Sequence, residues 1–497
     1  VEELTHFIGG KHVRGAPERF CDGFEPMTGR AISRVPLASA AEVRAAVDNA
    51  RAAQPAWGAV NPQRRSRVLM EFLDLASKEV EALAALLARE HGKTIADARG
   101  DIERGLDVIE FAIGIPHLIK GEYTGSAGVG IDIYSMHQPV GVAAGITPFN
   151  FPAMIPMWMF GPAIACGNAF VLKPSERDPS VPLRLAELMI EAGLPPGILN
   201  VINGGKETVD ALIENRGIDA ISFVGSTPVA ASIYARSAAA GKRAQCFGGA
   251  KNHMVVMPDA DMDQAADALI GAGYGSAGER CMAVSVAVPV GQAAAHALVN
   301  RLVPRVEALK VGPSTDASAD FGPLVSKAHL ERVKAYVELG ISEGAKLLVD
   351  GRGFKMQGYE NGFYMGGCLF DEVKPHMRIY KEEIFGPVLS VVRASTYEEA
   401  LQLVNDHELG NGAAIFTRSG AAARDFAARA QAGMIGINVP IPVPLAYFTF
   451  GGWKRSAFGD LNQHGMDAVR FYTKTKTVTS RWPEGANGAS FVMPAME

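Results

Sequence analysis

Cysteine is scarce: five residues in 497, Cys21, Cys166, Cys246, Cys281 and Cys368, with no C-x-x-C pair among them. That excludes a thioredoxin-like motif and a paired-cysteine zinc frame, and no metal site is expected. The odd, low count fits a reducing compartment in which thiols stay free and one can act as a nucleophile. The expected location is the cytoplasm, or the mitochondrial matrix in a eukaryote. Long runs of lysine or arginine are also missing, and the formal net charge is only −5. Neither a nucleic acid nor an anionic membrane has an electrostatic footprint to bind, so neither is expected as a partner. Residues 1–10 lack the basic region and apolar core of a signal peptide, while a start at Val1 leaves room for a transit sequence already removed. A long unbroken apolar run is absent as well. The nearest approach, residues 151–172, is interrupted by Pro152, Pro156, Pro162 and Gly167-Asn168. It is therefore read as a buried helix, a turn and a buried strand instead of a membrane span.

What is present describes an ordinary globular protein, 48% apolar and 20% charged, and too long for a single core. The first ~120 residues read mainly as helices. Ser39-Ala-Ala-Glu42 has capping-box spacing and opens a helix through residue 53. Asn61-Pro62 opens a long amphipathic helix through residue 90, stopped near Gly92. Residues 121–139, rich in glycine and β-branched side chains, read as a hairpin. From Pro139 short apolar strands (140–146, 169–172, 199–202, 220–224, 245–247) alternate with helices such as 180–192 and 228–240. Repeated βα units predict a parallel, doubly wound sheet with a nucleotide at the carboxyl ends of its strands. A second α/β region follows over residues 258–440, with helices at 262–271 and 398–405 and strands at 284–290, 388–392 and 435–438. The Thr-rich, alternating stretch 471–482 reads as an added strand.

Two pattern matches mislead. His91-Gly92-Lys93-Thr94 has the end of a P-loop, but Leu87 stands where its first glycine belongs. Gly273-Tyr-Gly275-Ser-Ala-Gly278 fits G-x-G-x-x-G yet follows a helix instead of a strand, so it reads as a close-packed approach to Cys281. Gly278-Glu279-Arg280-Cys281-Met282 is more telling. With Thr147-Pro148-Phe149-Asn150-Phe151-Pro152, Lys173-Pro174-Ser175-Glu176, Phe223-Val224-Gly225-Ser226-Thr227 and Glu382-Glu383-Ile384-Phe385-Gly386-Pro387, it resembles the aldehyde dehydrogenase superfamily across essentially the whole chain. Gly249-Ala250-Lys251-Asn252-His253, Cys281-Met282-Ala283 and Asn438-Val-Pro-Ile-Pro-Val-Pro444 resemble its CoA-acylating methylmalonate-semialdehyde dehydrogenase branch.

The resemblance implies an α/β fold with a Rossmann-like NAD-binding domain (1–119 and 140–249) and a second α/β catalytic domain (250–441). It also implies a small β oligomerisation element (120–139 and 470–497), making a homotetramer or homodimer. Cys281 is the expected nucleophile. A thiolate is favoured beside a cation, and Arg280 is adjacent. The thiohemiacetal oxyanion needs preorganised donors, a role the resemblance assigns to Asn150 and the Cys281 amide. For NAD, Lys173 and Glu176 follow a strand end and can take the adenosine ribose hydroxyls, with the carboxylate repelling a 2′-phosphate. Ser226 starts a helix whose N-terminus can meet the pyrophosphate. Thr147, Phe149, Glu383 and Phe385 resemble the family's remaining cofactor contacts. Arg104 heads an otherwise apolar helix row with Val108, Phe111 and Ile115, and with Arg280 it is expected to clamp a substrate carboxylate. An internal ion pair is the alternative for Arg104. Solvated surface charge is the alternative for Lys173 and Glu383.

One departure is informative. Where hydrolytic members carry Glu in E-L-G-G-K, this chain, aligned on Lys251, has Phe247. Phenylalanine cannot activate water, whereas a thiol acceptor such as coenzyme A needs less help. The implied reaction takes methylmalonate or malonate semialdehyde, NAD and CoA to propionyl-CoA or acetyl-CoA, CO2 and NADH. A hydrolytic enzyme using Glu279 or Glu383 as base stays open. A non-catalytic protein on this scaffold would be expected to have lost Cys281 or Asn150.

Overall fold

The structure is a computed structural model that describes residues 1–16 and 19–482. Two apolar cores divide the chain, one drawn chiefly from the first 250 residues and one from residues 254–432. Each is built around a sheet whose central strands are buried on both faces. That is why those strands read as short, mostly apolar runs without strict alternation, with isolated polar side chains such as Asn200, Ser222 and Ser390 buried among them.

The first sheet has eight strands. Its parallel centre runs Arg243–Phe247, Ala220–Val224, Val142–Ile146, Ala169–Lys173 and Leu199–Val201. Chain order reverses between Val142–Ile146 and Ala220–Val224, and a crevice opens beyond their carboxyl ends at such a switch point. Helix Met154–Ala165 is buried along its whole length and turns through Cys166–Asn168 into strand Ala169–Lys173. No described helix is long and apolar enough to cross a membrane. The second sheet has seven strands, ordered Lys346–Val349, Cys368–Asp371, Val388–Val391, Val284–Pro289, Asn252–Val256, Gly412–Phe416 and Met434–Ile437. A three-stranded antiparallel sheet joins Tyr123–Gly128, Ile131–Pro139 and Thr473–Arg481, the last two paired from Thr473 opposite Pro139 to Arg481 opposite Ile131. Residues 483–497, assigned from sequence to the same element, lie outside the described residues.

Helix signals behave as local physics dictates. Ser39 and Glu42 form both halves of a capping box, and Asn61 caps the next helix by accepting the Arg64 amide at 2.9 Å. Two expectations need correction. Helices do dominate as far as Leu118, but they begin only at Ala40: Glu2–Glu3, His6–Ile8, Lys11–Val13, Phe20–Glu25 and Arg30–Pro36 before it are strands. They are short and sit at or near sheet edges, where solvated faces dilute the apolar alternation. The long helix from Pro62 is two helices, Pro62–Lys78 and Val80–His91, broken at Glu79. Arg184 grips the Glu79 carboxylate with two donors, at 2.9 and 2.5 Å. That contact across 105 residues is invisible to local periodicity.

Candidate active site

Cys281 is delivered by a strained turn. Helix Met262–Tyr274 ends in a single 3-10 turn in which Ser276 and Ala277 both have φ of 53°. Such left-handed conformations are disfavoured for non-glycine residues and concentrate at functional sites. Gly278 completes the turn, and a Cβ there would lie 2.1 Å from the Gly386 carbonyl oxygen. Gly278 thus serves close packing against the 382–387 segment, while a Cβ on Gly275 would lie 2.7 Å from the Arg280 guanidinium. Beyond Cys281 the chain enters strand Val284–Pro289. The Cys281 carbonyl is held by two amide side chains, Asn252 Nδ2 at 2.9 Å and Asn411 Nδ2 at 3.2 Å. Asn252 also donates to the Ala283 carbonyl and accepts the Gly412 amide, so one side chain ties three strands beneath the nucleophile. Asn252 entered the sequence reading only as part of a motif, and Asn411 not at all. An Asn heading the strand Asn252–Val256, buried at every position, was the available signal, since a buried amide must find partners.

Asn150 lies on the loop leaving strand Val142–Ile146. Its side chain is buried, and Nδ2 has no hydrogen-bond partner among the described residues. Asn150 and Cys281 line one cavity of about 610 Å3, whose wall also includes Phe149, Ser226, Glu383 and Phe385. Phe149 and Phe385 meet edge to face at 5.9 Å. Phe385 has φ of 62°, and its carbonyl lies 2.6 Å from His329 Nε2, which must therefore donate. Glu383 is anchored through Oε1 by the Ala250 amide at 2.9 Å. The approach is close enough that a Cβ on Gly249 would lie 2.3 Å from Glu383 Oε2.

On the cofactor side, Ser226 caps helix Thr227–Ala239 without a side-chain cap bond, and residues 224–228 face the cavity. A helix start of this kind can take an anion, although Pro228 in its first turn has no N–H to offer. Thr147, Lys173 and Glu176 stand outside the cavity wall. Thr147 is buried with its hydroxyl unpartnered. Lys173 Nζ donates to Glu176 Oε2 at 3.2 Å at the end of strand Ala169–Lys173. Burial opposes ionisation of Glu176, yet Lys173 brings its carboxyl below the ordinary range.

The electrostatics around Cys281 correct the sequence reading. Burial and then the Glu383 carboxylate push the thiol up to about 12, and the Cys281 and Met282 amides and Arg280 pull back only in part. Arg280 does not act as an open cation. Its Nη2 donates to Asp97 Oδ1 at 2.5 Å, with both side chains largely buried. Arg104 is placed differently. It is half-buried, 3.9 Å from Asp107 across a largely solvated pair, and its Nη2 reaches the Val443 carbonyl only at 3.4 Å. Its own carbonyl accepts from Trp158 Nε1 at 3.4 Å. Trp158 in turn lines a second, smaller cavity shared by Phe247, Phe450, Asn411 and Cys281. Phe247 is thus a buried ring beside the nucleophile. Of the two alternative carboxylates, Glu279 is fully buried, accepts the Val325 amide at 3.2 Å and is pushed up to about 8 by burial. It does not line either cavity, whereas Glu383 lines the larger one.

The aldehyde dehydrogenase family model matches residues 12–478. The chain belongs to the aldehyde dehydrogenase family. It is 54% identical over 495 residues to malonate-semialdehyde dehydrogenase of Pseudomonas aeruginosa, covering 99% of each chain. It is 48% identical over 494 residues to the acylating, mitochondrial methylmalonate-semialdehyde dehydrogenase of Arabidopsis thaliana, covering 99% of this chain and 81% of the relative. Among solved structures it superimposes with a TM-score of 0.97, at 66% identity, on a protein of Sinorhizobium meliloti 1021 provisionally assigned as methylmalonate-semialdehyde dehydrogenase and solved with NAD. That match covers 98% of this chain and 99% of the other. The methylmalonate-semialdehyde dehydrogenase of Oceanimonas doudoroffii superimposes with a TM-score of 0.96 at 52% identity, over 98% and 99% of the two chains. In this aldehyde dehydrogenase the cavity takes Asn150 from the loop leaving a strand of the first sheet and Cys281 from the turn entering a strand of the second.

Proposed function

We propose that this aldehyde dehydrogenase oxidises malonate or methylmalonate semialdehyde with NAD and passes the acyl group from Cys281 to coenzyme A. The products are acetyl-CoA or propionyl-CoA, CO2 and NADH. The observation that carries the reading is Phe247, an apolar ring buried beside Cys281 where a water-activating carboxylate would otherwise stand.

The Cys281 thiol gives up its proton to water as its sulfur adds to the aldehyde carbon, the carbonyl π pair moves to oxygen, and the new oxyanion takes the free Asn150 Nδ2 and the Cys281 amide as donors. NAD, when bound, supplies the hydride acceptor. Loss of hydride from the thiohemiacetal carbon leaves a thioester on Cys281. The bond to the substrate's β-carboxylate then breaks, releasing CO2, and the carbon left behind takes up a proton. Attack by the CoA thiol breaks the Cys281 thioester and returns the thiol. Residues supporting NAD are Ser226 at its helix start, Thr147, Phe149, the Lys173–Glu176 pair, Glu383 and Phe385. Arg104, without a strong internal partner, is the proposed clamp on the substrate carboxylate. Arg280 joins it only by leaving Asp97.

Five free thiols among the described residues support a reducing compartment, cytoplasm or matrix. The three-stranded sheet, with Tyr123 and Val129 exposed, is the proposed pairing surface of a homodimer or homotetramer.

Mass analysis of the product made from malonate semialdehyde, NAD and CoA tests the reading. Acetyl-CoA supports it, and free acid as the main product overturns it. A second measurement tests the clamp. Arg104→Leu should lower kcat/KM for malonate semialdehyde by about 10–10²-fold, the scale of a lost charge-assisted hydrogen bond. Propanal, of equal chain length but without the carboxylate, should be oxidised about as before. Equal losses on both substrates would count against Arg104 as the clamp.

A further inference from the structure

The loop between helices Val80–His91 and Ile95–Ile113 carries an ammonium group with no solvent exposure. Gly92, with φ of 95°, turns the chain out of the first helix, and Thr94 caps the second. Lys93 is thereby directed into the core. Its Nζ donates to the backbone carbonyl of Asn150 at 2.8 Å, lies 3.4 Å from Asp101 Oδ2, and sits 4.5 Å from the centre of the Phe151 ring. Asp101, equally buried, uses its other oxygen to accept the Met154 amide at 2.7 Å. The pair therefore grips both ends of residues 150–154, the segment between the strand that opens the crevice and helix Met154–Ala165. A fully buried ion pair is a poor source of stability, because desolvating two charges offsets their attraction. What this pair does achieve is to fix the main chain of Asn150, which lines the cavity of Cys281 and whose Nδ2 is buried without a partner among the described residues.

We propose that Lys93, supported by Asp101, is a positioning residue for the oxyanion donor: by holding the Asn150 carbonyl it aims the Asn150 amide at the oxygen of the thiohemiacetal. The proposal rests on the oxyanion role given to Asn150 above. Geometry sets its value, since a donor displaced by about 1 Å can lose on the order of 10²-fold in rate. No other described group donates to that carbonyl, and an apolar side chain in place of Lys93 would leave it unsatisfied in the core.

The test is the first-turnover rate of NADH formation without CoA, at saturating malonate semialdehyde and NAD, with each rate constant read separately from the burst amplitude. Loss of folded enzyme then lowers the amplitude and not the rate constant. The main variant is Lys93→Met with Asp101→Asn, which removes both charges and keeps an acceptor for the Met154 amide. Lys93→Met alone is the second variant. The expected result is a rate constant lower by on the order of 10–10²-fold, with the KM for NAD unchanged. Combined with Asn150→Ala, either variant should add no more than about a twofold loss, because Lys93 acts through Asn150. Losses that multiply instead would assign Lys93 a general structural role and overturn the proposal. So would a rate within about twofold of the parent while Asn150→Ala alone costs on the order of 10²–10³. If Asn150→Ala itself costs less than about threefold against that scale, the oxyanion reading fails, and the proposal fails with it.

Discussion

Replacing Cys281 with alanine is expected to reduce dehydrogenase turnover by on the order of 10⁶, the scale seen when a covalent enzyme loses its nucleophile. NAD should bind to the variant with its affinity unchanged within about twofold, because truncation removes the thiol and none of the contacts proposed for the cofactor. The reason lies in the distribution of functions around the cavity. The helix start at Ser226, the Lys173–Glu176 pair and the Phe149–Phe385 wall belong to other segments, and Cys281 is held through its backbone carbonyl by Asn252 and Asn411. An alanine keeps that carbonyl and the turn that presents it. Hydride transfer from the aldehyde would then require direct loss from a hydrated carbonyl with no thiohemiacetal to drive it. Turnover within about tenfold of the parent, with matched NAD binding, would remove Cys281 from the chemistry altogether, because general-base or oxyanion assistance alone contributes far less than the nucleophile.

The resting state of that thiol has a consequence for rate. With burial and Glu383 together holding Cys281 up to about 12, nearly all of it is protonated at neutral pH, and the proton has to leave as the sulfur attacks. Arg280, expected from its adjacency to favour the thiolate, is spent on Asp97. Adjacency in sequence placed a cation next to the nucleophile, but side-chain direction was decided by a partner 183 residues away. Asn411 was hidden for the same reason: nothing local to residue 411 reveals that its side chain reaches the Cys281 carbonyl.

The parts of the fold that were legible are those whose cause is local. Strand Ala220–Val224 has the bounds assigned from sequence, and Leu199–Val201 and Val388–Val391 fall one residue short of them. Strands buried on both faces are mostly apolar, here with a single buried polar residue each in Ser222, Asn200 and Ser390, and turn residues mark their ends. The N-terminal strands lacked that signature because one face is solvent. The break at Glu79 has no local signal, and the partner of its carboxylate, Arg184, lies on another helix. At the site, backbone geometry is readable from sequence at Gly278, where a Cβ would meet the Gly386 carbonyl. Charge is less readable, since an arginine on an apolar row, such as Arg104, and one beside a cysteine, such as Arg280, look alike until their partners are known.

The central claim is that acyl transfer from Cys281 waits for a thiol, because Phe247 offers no base to water. Glu383, which lines the cavity together with Glu382 and Glu408, is the carboxylate raised above as an alternative base, but its Oε1 is engaged by the Ala250 amide and burial raises its pKa. A carboxylate so held is a poorer match to a hydrolytic base than one free to approach the thioester. The most direct measurement is rapid-mixing NADH formation from malonate semialdehyde and NAD with CoA withheld and then added. The account predicts a burst of about one NADH per active site followed by a slow phase, the mark of an accumulating acyl-enzyme, with full turnover restored by CoA. Rapid steady-state NADH formation without CoA and without a burst, with free acid as the product, would contradict it.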